Sequence, residues 1–232
     1  MVRCAGIRRN HPPEAPMPAQ FLFLWNMKRD AVPDPVTRRL TRYLLYVQEN
    51  RERIGTWISS ETLAAVLGLT DSTVRQDLWY LELTGTPRRG YPVDRLQRAL
   101  AEKLNLLSGR RVMIVGAGNA GRALTRHKEF ARRGFQVRAV VDSDDTVVGT
   151  HLDSLVVEPL KKIGSIVKRR KIDIGIIAVP ASAAQEVADT MVSVGIKGIL
   201  NFSAAHVTTP ANVPLVDVRV VASLMELSGR LP

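Results

Sequence analysis

A glycine-rich turn after an apolar run constrains the fold of this chain more than any other feature. Residues 112–115 are Val-Met-Ile-Val and lead directly into Gly116, which starts the pattern G-x-G-x-x-G with Gly118 and Gly121. In a strand–turn–helix unit the first glycine makes the turn, the second lets the backbone approach a pyrophosphate, and the third lets the helix pack on the strand. The start of that helix then attracts the phosphates. The pattern predicts a Rossmann-type βαβ unit that binds a nucleotide.

A second apolar run, residues 136–141, ends in an acidic residue, Asp142. An acid about 20 residues beyond such glycines is placed to accept hydrogen bonds from both ribose hydroxyls of an adenosine. The same carboxylate would repel the 2′-phosphate of NADP(H). Asp142 therefore favours NADH and NAD+ as ligands.

The alternation of helices and strands continues beyond this acid. Residues 160–170 and 183–194 have helical patterns, whereas 172–179 and 198–202 are short apolar runs typical of buried strands. This alternation predicts an α/β domain with a parallel sheet, whose ligands bind at the carboxyl edge beside the glycine turn. The predicted nucleotide-binding residues are Gly116, Ala117, Gly118, Asn119, Ala120, Gly121, Asp142, Val179, Pro180, Asn201 and Phe202.

Two short helices are predicted upstream of the glycine turn. Ser59 and Ser60 are candidate caps for a helix that ends at Gly68, and Thr70 is a candidate cap for a second helix over residues 71–83. The short connection between them has the spacing of a helix-turn-helix motif. An ordinary corner between two helices has the same spacing, so the spacing alone leaves both possibilities open.

The faces of the second helix favour the DNA-binding interpretation. Val74, Leu78 and Leu81 fall on one face, which leaves mainly polar residues, together with Trp79, on the other. Residues 84–93 follow with turn residues, two adjacent arginines and an aromatic residue, as a β-wing that contacts DNA would. Arginine, glutamine, serine and threonine are residue types that contact bases and phosphates. The predicted DNA-binding residues are Ser72, Thr73, Arg75, Gln76, Arg88, Arg89 and Tyr91.

The composition agrees with a DNA-binding protein and excludes several other classes. The net charge is +11, so the surface should attract polyanions. No apolar run is long enough to span a membrane, the one cysteine excludes an internal disulfide framework, and the four histidines show no metal-ligand spacing. We expect a cytoplasmic protein that binds neither a membrane nor a metal.

These patterns divide the chain into four parts. Residues 1–32 contain several prolines and no helical period, and we expect them to be a disordered tail. Residues 33–107 are predicted to form a winged helix-turn-helix domain, and 108–215 a Rossmann-type domain that binds NADH or NAD+. Residues 216–232 contain a short helix with an apolar face, which a second copy of the chain would cover in a homodimer.

From residue 31 to its end, the chain resembles the Rex family of redox-sensing transcriptional repressors. Matching blocks follow one another in both predicted domains: ISSETLAAVLGLTDSTVRQDL, GYPV, VGAGNAGRAL, VPASAAQEVAD, GIKGILNF and VPLVDV. The resemblance implies a homodimer that binds palindromic operator DNA when NADH is low. It also implies that NADH closes the dimer and releases the DNA, while NAD+ competes for the same pocket.

The resemblance assigns the glycine turn and Asp142 to the adenosine diphosphate half of the dinucleotide, and the ends of the later strands to the nicotinamide half. It also places the arginines, the glutamine and the tyrosine of the predicted interface against DNA. The chain departs from the family's usual sequence at residues 79–82, which are Trp-Tyr-Leu-Glu instead of Ser-Tyr-Phe-Gly. His127 and Val218 stand where the family often has tyrosine and sometimes has phenylalanine.

Three other interpretations remain open at this point, one of which is a DNA-binding protein whose nucleotide pocket is vestigial. An NAD-dependent oxidoreductase would need a substrate domain, for which no length remains after the nucleotide-binding units. It would also need a histidine or lysine paired with an acid as a proton relay, and the sequence suggests none. A DNA-binding regulator could instead respond to another effector, such as coenzyme A or an adenine nucleotide.

Overall fold

The computed structural model of the protein describes residues 32–231, and these form two compact units that meet between residues 104 and 105. The boundary lies just before the one expected from the sequence, between 107 and 108. The expected disordered tail lies outside the described residues except for Val32, and the C-terminal segment belongs to the second unit.

The first unit is mainly helical and contains a two-stranded antiparallel sheet. Its elements are α1 (Asp34–Glu49), α2 (Arg51–Ile54), β1 (Trp57–Ile58), α3 (Ser60–Leu67), α4 (Asp71–Trp79), β2 (Tyr91–Pro92) and α5 (Val93–Lys103). Helix α1 presents a buried stripe because its apolar residues recur every three or four positions. The buried residues of that stripe are Val36, Leu40, Tyr43, Leu44 and Val47.

The predicted caps of the helix-turn-helix motif are confirmed, apart from Ser60, which is the first residue of α3 instead of its cap. The Ser59 side chain accepts a hydrogen bond from the N–H of Thr62 at 3.0 Å, and Thr70 accepts one from the N–H of Thr73 at 3.2 Å. Gly68 ends α3 with a φ of +66°, a left-handed conformation that glycine adopts without steric cost. These contacts fix the connection between α3 and α4.

Helix α4 ends at Trp79, earlier than the predicted end at Leu83. The N–H groups of Tyr80, Leu81 and Glu82 each donate to the carbonyl three residues earlier, so the chain tightens there. Glu82 then adopts a φ of +53°, which an α-helix cannot continue. The spacing of polar and apolar residues in this segment does not show that the helix tightens and ends at Trp79.

A buried carboxylate links α4 to α1. Asp77 is 1% exposed and accepts hydrogen bonds from Arg39 Nε at 2.6 Å, from Arg39 Nη2 at 2.7 Å and from the Tyr43 hydroxyl at 2.6 Å. Burial, followed by the hydrogen bond to Asp77, raises the pKa of Tyr43 above its usual value. This ion pair holds the second helix of the motif against the long first helix of the unit.

We expect Asp77→Ala to lower the free energy of unfolding of the first unit by about 3–5 kcal/mol, because it leaves a charged guanidinium without its buried partner. The measurement is urea denaturation followed by tryptophan fluorescence, since all three tryptophans precede residue 105. Asp94→Asn is the control, because Asp94 is 82% exposed in its ion pair with Arg51 and should cost less than about 1 kcal/mol. Equal effects of the two substitutions would contradict this role of Asp77.

The predicted wing connects α4 to α5. Strand β1 pairs antiparallel with β2, and Thr86 bridges to Gly90 at the tip. Gly90 has a φ of +83°, and a Cβ at this position would collide with the backbone carbonyl of Ile58. Only glycine therefore lets the returning strand approach β1 this closely.

The second unit is an α/β domain with a seven-stranded sheet in the order β5-β6-β4-β3-β7-β8-β9. All neighbouring strands are parallel except β5 and β6. Its strands are β3 (Arg110–Val115), β4 (Phe135–Asp142), β5 (His151–Leu152), β6 (Leu155–Pro159), β7 (Ile174–Ile177), β8 (Gly198–Asn201) and β9 (Leu215–Asp217). Its α-helices are α6 (Asn119–Thr125), α7 (Lys128–Arg132), α8 (Ile163–Arg170), α9 (Ala184–Ser193) and α10 (Val220–Ser228).

Helices pack on both faces of this sheet. Met113 of β3 packs with apolar residues of α8 and α9, whereas Ile114 faces the opposite core, which includes Leu124 of α6 and Phe130 of α7. The order of the strands reverses at β3, since β4 lies on one side of it and β7 on the other. Ligands of such folds bind at this switch point, beyond the carboxyl ends of the strands. None of the helices within residues 32–231 is long and apolar enough to cross a membrane.

Candidate functional site

The glycine turn follows β3 at the switch point, and its glycines are required for different reasons. Gly116 has a φ of +105°, and a Cβ there would collide with the carbonyl oxygen of Ala178. A Cβ on Gly121 would collide with the carbonyl oxygen of Gly116. The first and third glycines are thus required by the close approach of the protein's own backbone.

Gly118 is not explained by the protein's own packing. Its φ is −70°, which any residue can adopt, and an added Cβ would meet no atom within 4 Å. The space beside this residue is open, as the approach of a pyrophosphate requires. The turn therefore fits a dinucleotide as a bound group.

Asp142 lies at the end of β4 and holds the glycine turn in place. Its Oδ2 accepts a hydrogen bond from the N–H of Ala117 at 2.6 Å, and its Oδ1 accepts one from the N–H of Asp144 at 2.9 Å. Each carboxylate oxygen can accept a second hydrogen bond, so both can still receive ribose hydroxyls. The sequence predicted the ribose role of Asp142, but not its contact with the turn.

Helix α6 starts directly at the turn. Asn119 and Ala120 form its first residues, and N–H groups in the first turn of a helix have no acceptor within the helix. Arg122 Nε donates to the carbonyl oxygen of Ala117 at 2.8 Å and so adds a positive charge beside the turn. Arg122 was not predicted from the sequence, although an arginine directly after the last glycine is the signal that could have revealed it. Amide donors and a cation together favour a bound phosphate group.

The ends of the neighbouring strands lie at the same edge. Val179 follows β7, and its Cγ1 lies 3.1 Å from the position that a Cβ on Gly116 would occupy. Pro180 is the next residue and is exposed, while Phe202 donates its N–H to the carbonyl oxygen of Ile177 at 2.9 Å. The structure thus brings Val179, Pro180 and Phe202 to the edge where the sequence predicted them.

Asn201 has a different role from the predicted contact with a ligand. Its side chain is fully buried, and its Nδ2 donates to the Ala205 carbonyl at 2.9 Å and to Asp217 Oδ1 at 2.7 Å. Its Oδ1 accepts from the N–H of Ser203 at 3.0 Å and from the Ser203 hydroxyl at 2.7 Å. The hydrogen-bonding capacity of the amide is fully used within the protein. Asn201 therefore supports the loop after β8, and the predicted ligand contact does not fit this arrangement.

The predicted DNA-binding residues of α4 lie mainly on its exposed side. Ser72, Arg75 and Gln76 are exposed, and Arg75 forms an ion pair with Asp71 one turn earlier. Thr73 is half-buried, and its hydroxyl lies 2.7 Å from the hydroxyl of the capping Thr70. The helix thus presents a guanidinium, an amide and a hydroxyl on one surface, as contact with a DNA groove requires.

The wing presents its arginines but not its tyrosine. Arg88 and Arg89 are exposed, and the Arg89 guanidinium carbon lies 4.5 Å from the centre of the Trp57 ring. Tyr91 is only 8% exposed, because its ring packs against Gly85. The expectation that Tyr91 faces DNA is therefore corrected: the ring packs inside the domain and supports the wing.

No group of three or more histidine, cysteine, aspartate or glutamate side chains in the described part of the chain could hold a metal ion.

Comparisons with known proteins match both units. A family model described as "CoA binding domain" matches residues 108–205, and one described as "Putative DNA-binding protein N-terminus" matches residues 31–78. A redox-sensing transcriptional repressor Rex from Caldicellulosiruptor bescii is 38% identical over 84% of this chain and 90% of that relative. A Rex from Streptomyces coelicolor is 37% identical over 84% of this chain and 75% of that relative.

Solved structures give the same result. The Rex-family repressor RSP in complex with β-NAD+ and operator DNA is 34% identical, has a TM-score of 0.80, and is matched over 86% of this chain and 92% of that chain. RSP in complex with β-NADH has a TM-score of 0.77 over 86% of this chain and 93% of that chain.

Fold and site together define a two-domain transcription regulator, with a winged helix followed by a Rossmann-type nucleotide domain. The extent and identity of the matches place it further: the chain belongs to the Rex family of redox-sensing transcriptional repressors.

We expect Gly118→Ala and Gly121→Ala to affect stability differently. Gly118→Ala adds a methyl group in open space. It should leave the free energy of unfolding unchanged or raise it by up to about 1 kcal/mol. Gly121→Ala forces a methyl group against a backbone carbonyl and should lower the free energy of unfolding by about 1–3 kcal/mol. Thermal unfolding followed by circular dichroism measures both variants. A large loss of stability in Gly118→Ala would mean that the protein's own packing requires this glycine.

Proposed function

We propose that this protein represses transcription by binding palindromic operator DNA as a homodimer, and that NADH releases it from the DNA. The observation that carries the proposal is the glycine turn, in which Gly118 leaves open space that neither backbone conformation nor packing explains. A domain with this turn is joined in one chain to a helix-turn-helix motif with an exposed polar face. The protein is a ligand-controlled regulator and not an enzyme, and we place it in the cytoplasm with its operator DNA.

The site supports NADH and NAD+ as the ligands. Asp142 lies where the adenosine ribose of a dinucleotide would bind, and its carboxylate repels a phosphate on that ribose. NADPH carries a 2′-phosphate there and coenzyme A a 3′-phosphate, whereas NADH has a free diol. The description of the matching nucleotide-domain model makes coenzyme A a necessary comparison ligand. The solved RSP complexes with β-NAD+ and β-NADH support the choice of NADH.

Operator binding is supported by charge and exposure in the first unit. Arg75 and Gln76 on α4 and the two wing arginines offer groups for base edges and phosphates. A net charge of +11 adds a general attraction to the DNA backbone.

A homodimer is supported by two exposed apolar surfaces in the second unit. Val220, Val221, Leu224, Met225 and Leu227 of α10 are 56–70% exposed. An apolar groove of about 440 Å³ lies on one face of the sheet and is lined by residues of β7, β8 and β9. Apolar surfaces of this extent are usually covered in an assembly. Two copies of the chain also match the two half-sites of a palindrome.

We expect NADH to bind roughly tenfold or more tightly than NADPH or coenzyme A, a difference of about 1.4 kcal/mol. The physical reason is repulsion between Asp142 and a ribose phosphate. Asp142→Asn removes the negative charge and should reduce the difference between NADH and NADPH. Isothermal titration calorimetry measures each affinity. Asp145→Asn is the control, because it makes the same charge change at an exposed loop residue nearby. Equal affinities of the wild-type protein for NADH and NADPH would contradict the role of Asp142.

We expect the protein to bind a palindromic operator from its own genome and to lose affinity when NADH is added. Fluorescence anisotropy of a labelled duplex measures this at a fixed salt concentration. Arg75→Ala should weaken binding by about 1–3 kcal/mol, because arginine contacts guanine edges in the major groove. Arg98→Ala is the control, since Arg98 is an exposed arginine on α5, outside the motif and the wing. Binding that is unaffected by NADH would leave a DNA-binding protein without a redox response.

A further inference from the structure

A basic pocket lies at the amino-terminal edge of the seven-stranded sheet, opposite the edge that carries the glycine turn. Arg110 and Arg111 begin β3, and Arg138 lies in the first half of β4. Asp173 precedes β7 and Lys197 precedes β8. The pocket has a volume of about 420 Å³, and its lining consists of Ser108, Gly109, Arg110, Arg111, Gln136, Arg138, Asp173 and Lys197.

The single carboxylate of the pocket is occupied. Asp173 is 4% exposed and accepts hydrogen bonds from the Arg111 N–H at 3.1 Å, from Arg111 Nε at 3.0 Å and from Lys197 Nζ at 3.0 Å. Burial opposes its ionisation, but the hydrogen bonds from Arg111 and Lys197 outweigh burial and lower the pKa of Asp173 to about 2. Asp173 therefore stays ionised and positions two cations on the wall of the pocket.

Arg138 lies at an irregularity in the sheet. Val112 pairs with Val137 and Met113 pairs with Ala139, so Arg138 is an extra residue between two regular pairs. Such a bulge changes the direction of a side chain and occurs often beside functional sites. The carbonyl of Arg138 accepts a hydrogen bond from Arg170 Nη1 at 2.7 Å, which holds the bulge in place.

The charges of the pocket do not balance. The lining contains four cationic residues and one acidic residue. The cations are Arg110, Arg111, Arg138 and Lys197, and the acid is Asp173. Cations held close together repel one another, and an anion between them removes that cost. A guanidinium group can donate two parallel hydrogen bonds to two oxygens of one phosphate. The carboxylate of Asp173 already accepts several hydrogen bonds, so a phosphate suits the remaining arginines better.

We propose that this pocket binds a small polyanion with two or more linked phosphate groups, at a site separate from the dinucleotide site. A concave pocket of about 420 Å³ is the size of a small-molecule site, whereas a DNA backbone needs an extended surface. Arg111 and Lys197, both held by Asp173, would bind the anion together with Arg110 and Arg138 of the same lining. The proposal goes beyond the repressor function and does not depend on it.

The test uses inorganic pyrophosphate and the full chain in isothermal titration calorimetry at physiological ionic strength. We expect saturable binding to one site per chain. Arg110→Gln combined with Arg138→Gln should weaken it at least about tenfold, since each lost arginine removes charge-assisted hydrogen bonds. Lys161→Gln combined with Lys162→Gln is the control, because it removes two exposed charges from the same unit and should leave binding unchanged. Thermal unfolding of both double variants checks that they fold.

Competition separates this pocket from the other anion-binding surfaces. Saturation with NADH should not displace pyrophosphate from the unchanged protein, and an operator duplex should not displace it either. Unchanged affinity in the arginine double variant would overturn the proposal, as would the absence of saturable binding. Displacement by NADH would place the pyrophosphate at the glycine turn, and displacement by the duplex would make the pocket part of the DNA-binding surface. Either displacement would also overturn the proposal.

Discussion

The close contact between Gly121 and the carbonyl oxygen of Gly116 determines how the second unit is built. It brings α6 against the end of β3, and Gly116 in turn lies against the carbonyl of Ala178 just after β7. The N–H of Gly116 donates to Val141 of β4 at 2.8 Å. One short turn therefore joins three adjacent strands and the first helix. The edge of the sheet that carries the nucleotide site can form because glycines stand at these contacts, and no side chain separates the backbone segments.

Each unit also depends on a buried aspartate that is held by an arginine. Asp77 joins two helices of the DNA-binding unit, and Asp173 joins the starts of β3 and β8 through Arg111 and Lys197. In both cases the carboxylate receives several charged donors, which is the arrangement that makes burial of a charge tolerable. The two aspartates therefore set the positions of elements that carry functional side chains.

The sequence predicted the elements with strong periodicity, and it predicted the glycine turn, the caps at Ser59 and Thr70, and the place of Asp142. These features depend on neighbours in the chain, so they are visible in a short window. Asp77 and the bulge at Arg138 were missed because their partners lie far away in sequence or on another strand. Asn201 was misassigned because its burial and its hydrogen bond to Asp217 of β9 depend on the folded sheet. Asp77 interacts with residues 34 and 38 positions earlier, and a single sequence carries no sign of such a pairing. Tyr91 was misplaced for a different reason: Gly85 lies close to it in sequence, but the burial of the ring against Gly85 depends on how the wing folds back.

The geometry of the wing has a consequence for the thermodynamics of DNA binding. Arg88 adopts a φ of +61°, the Arg89 guanidinium stacks on Trp57, and Gly90 fits against the backbone of β1. Ordering a flexible side chain on binding costs about 0.5–1.5 kcal/mol of conformational entropy. Arg89 already has a stacking partner in the free protein, so much of this cost is met during folding. The wing thus enters the encounter with DNA preorganised, and more of its electrostatic attraction remains as affinity.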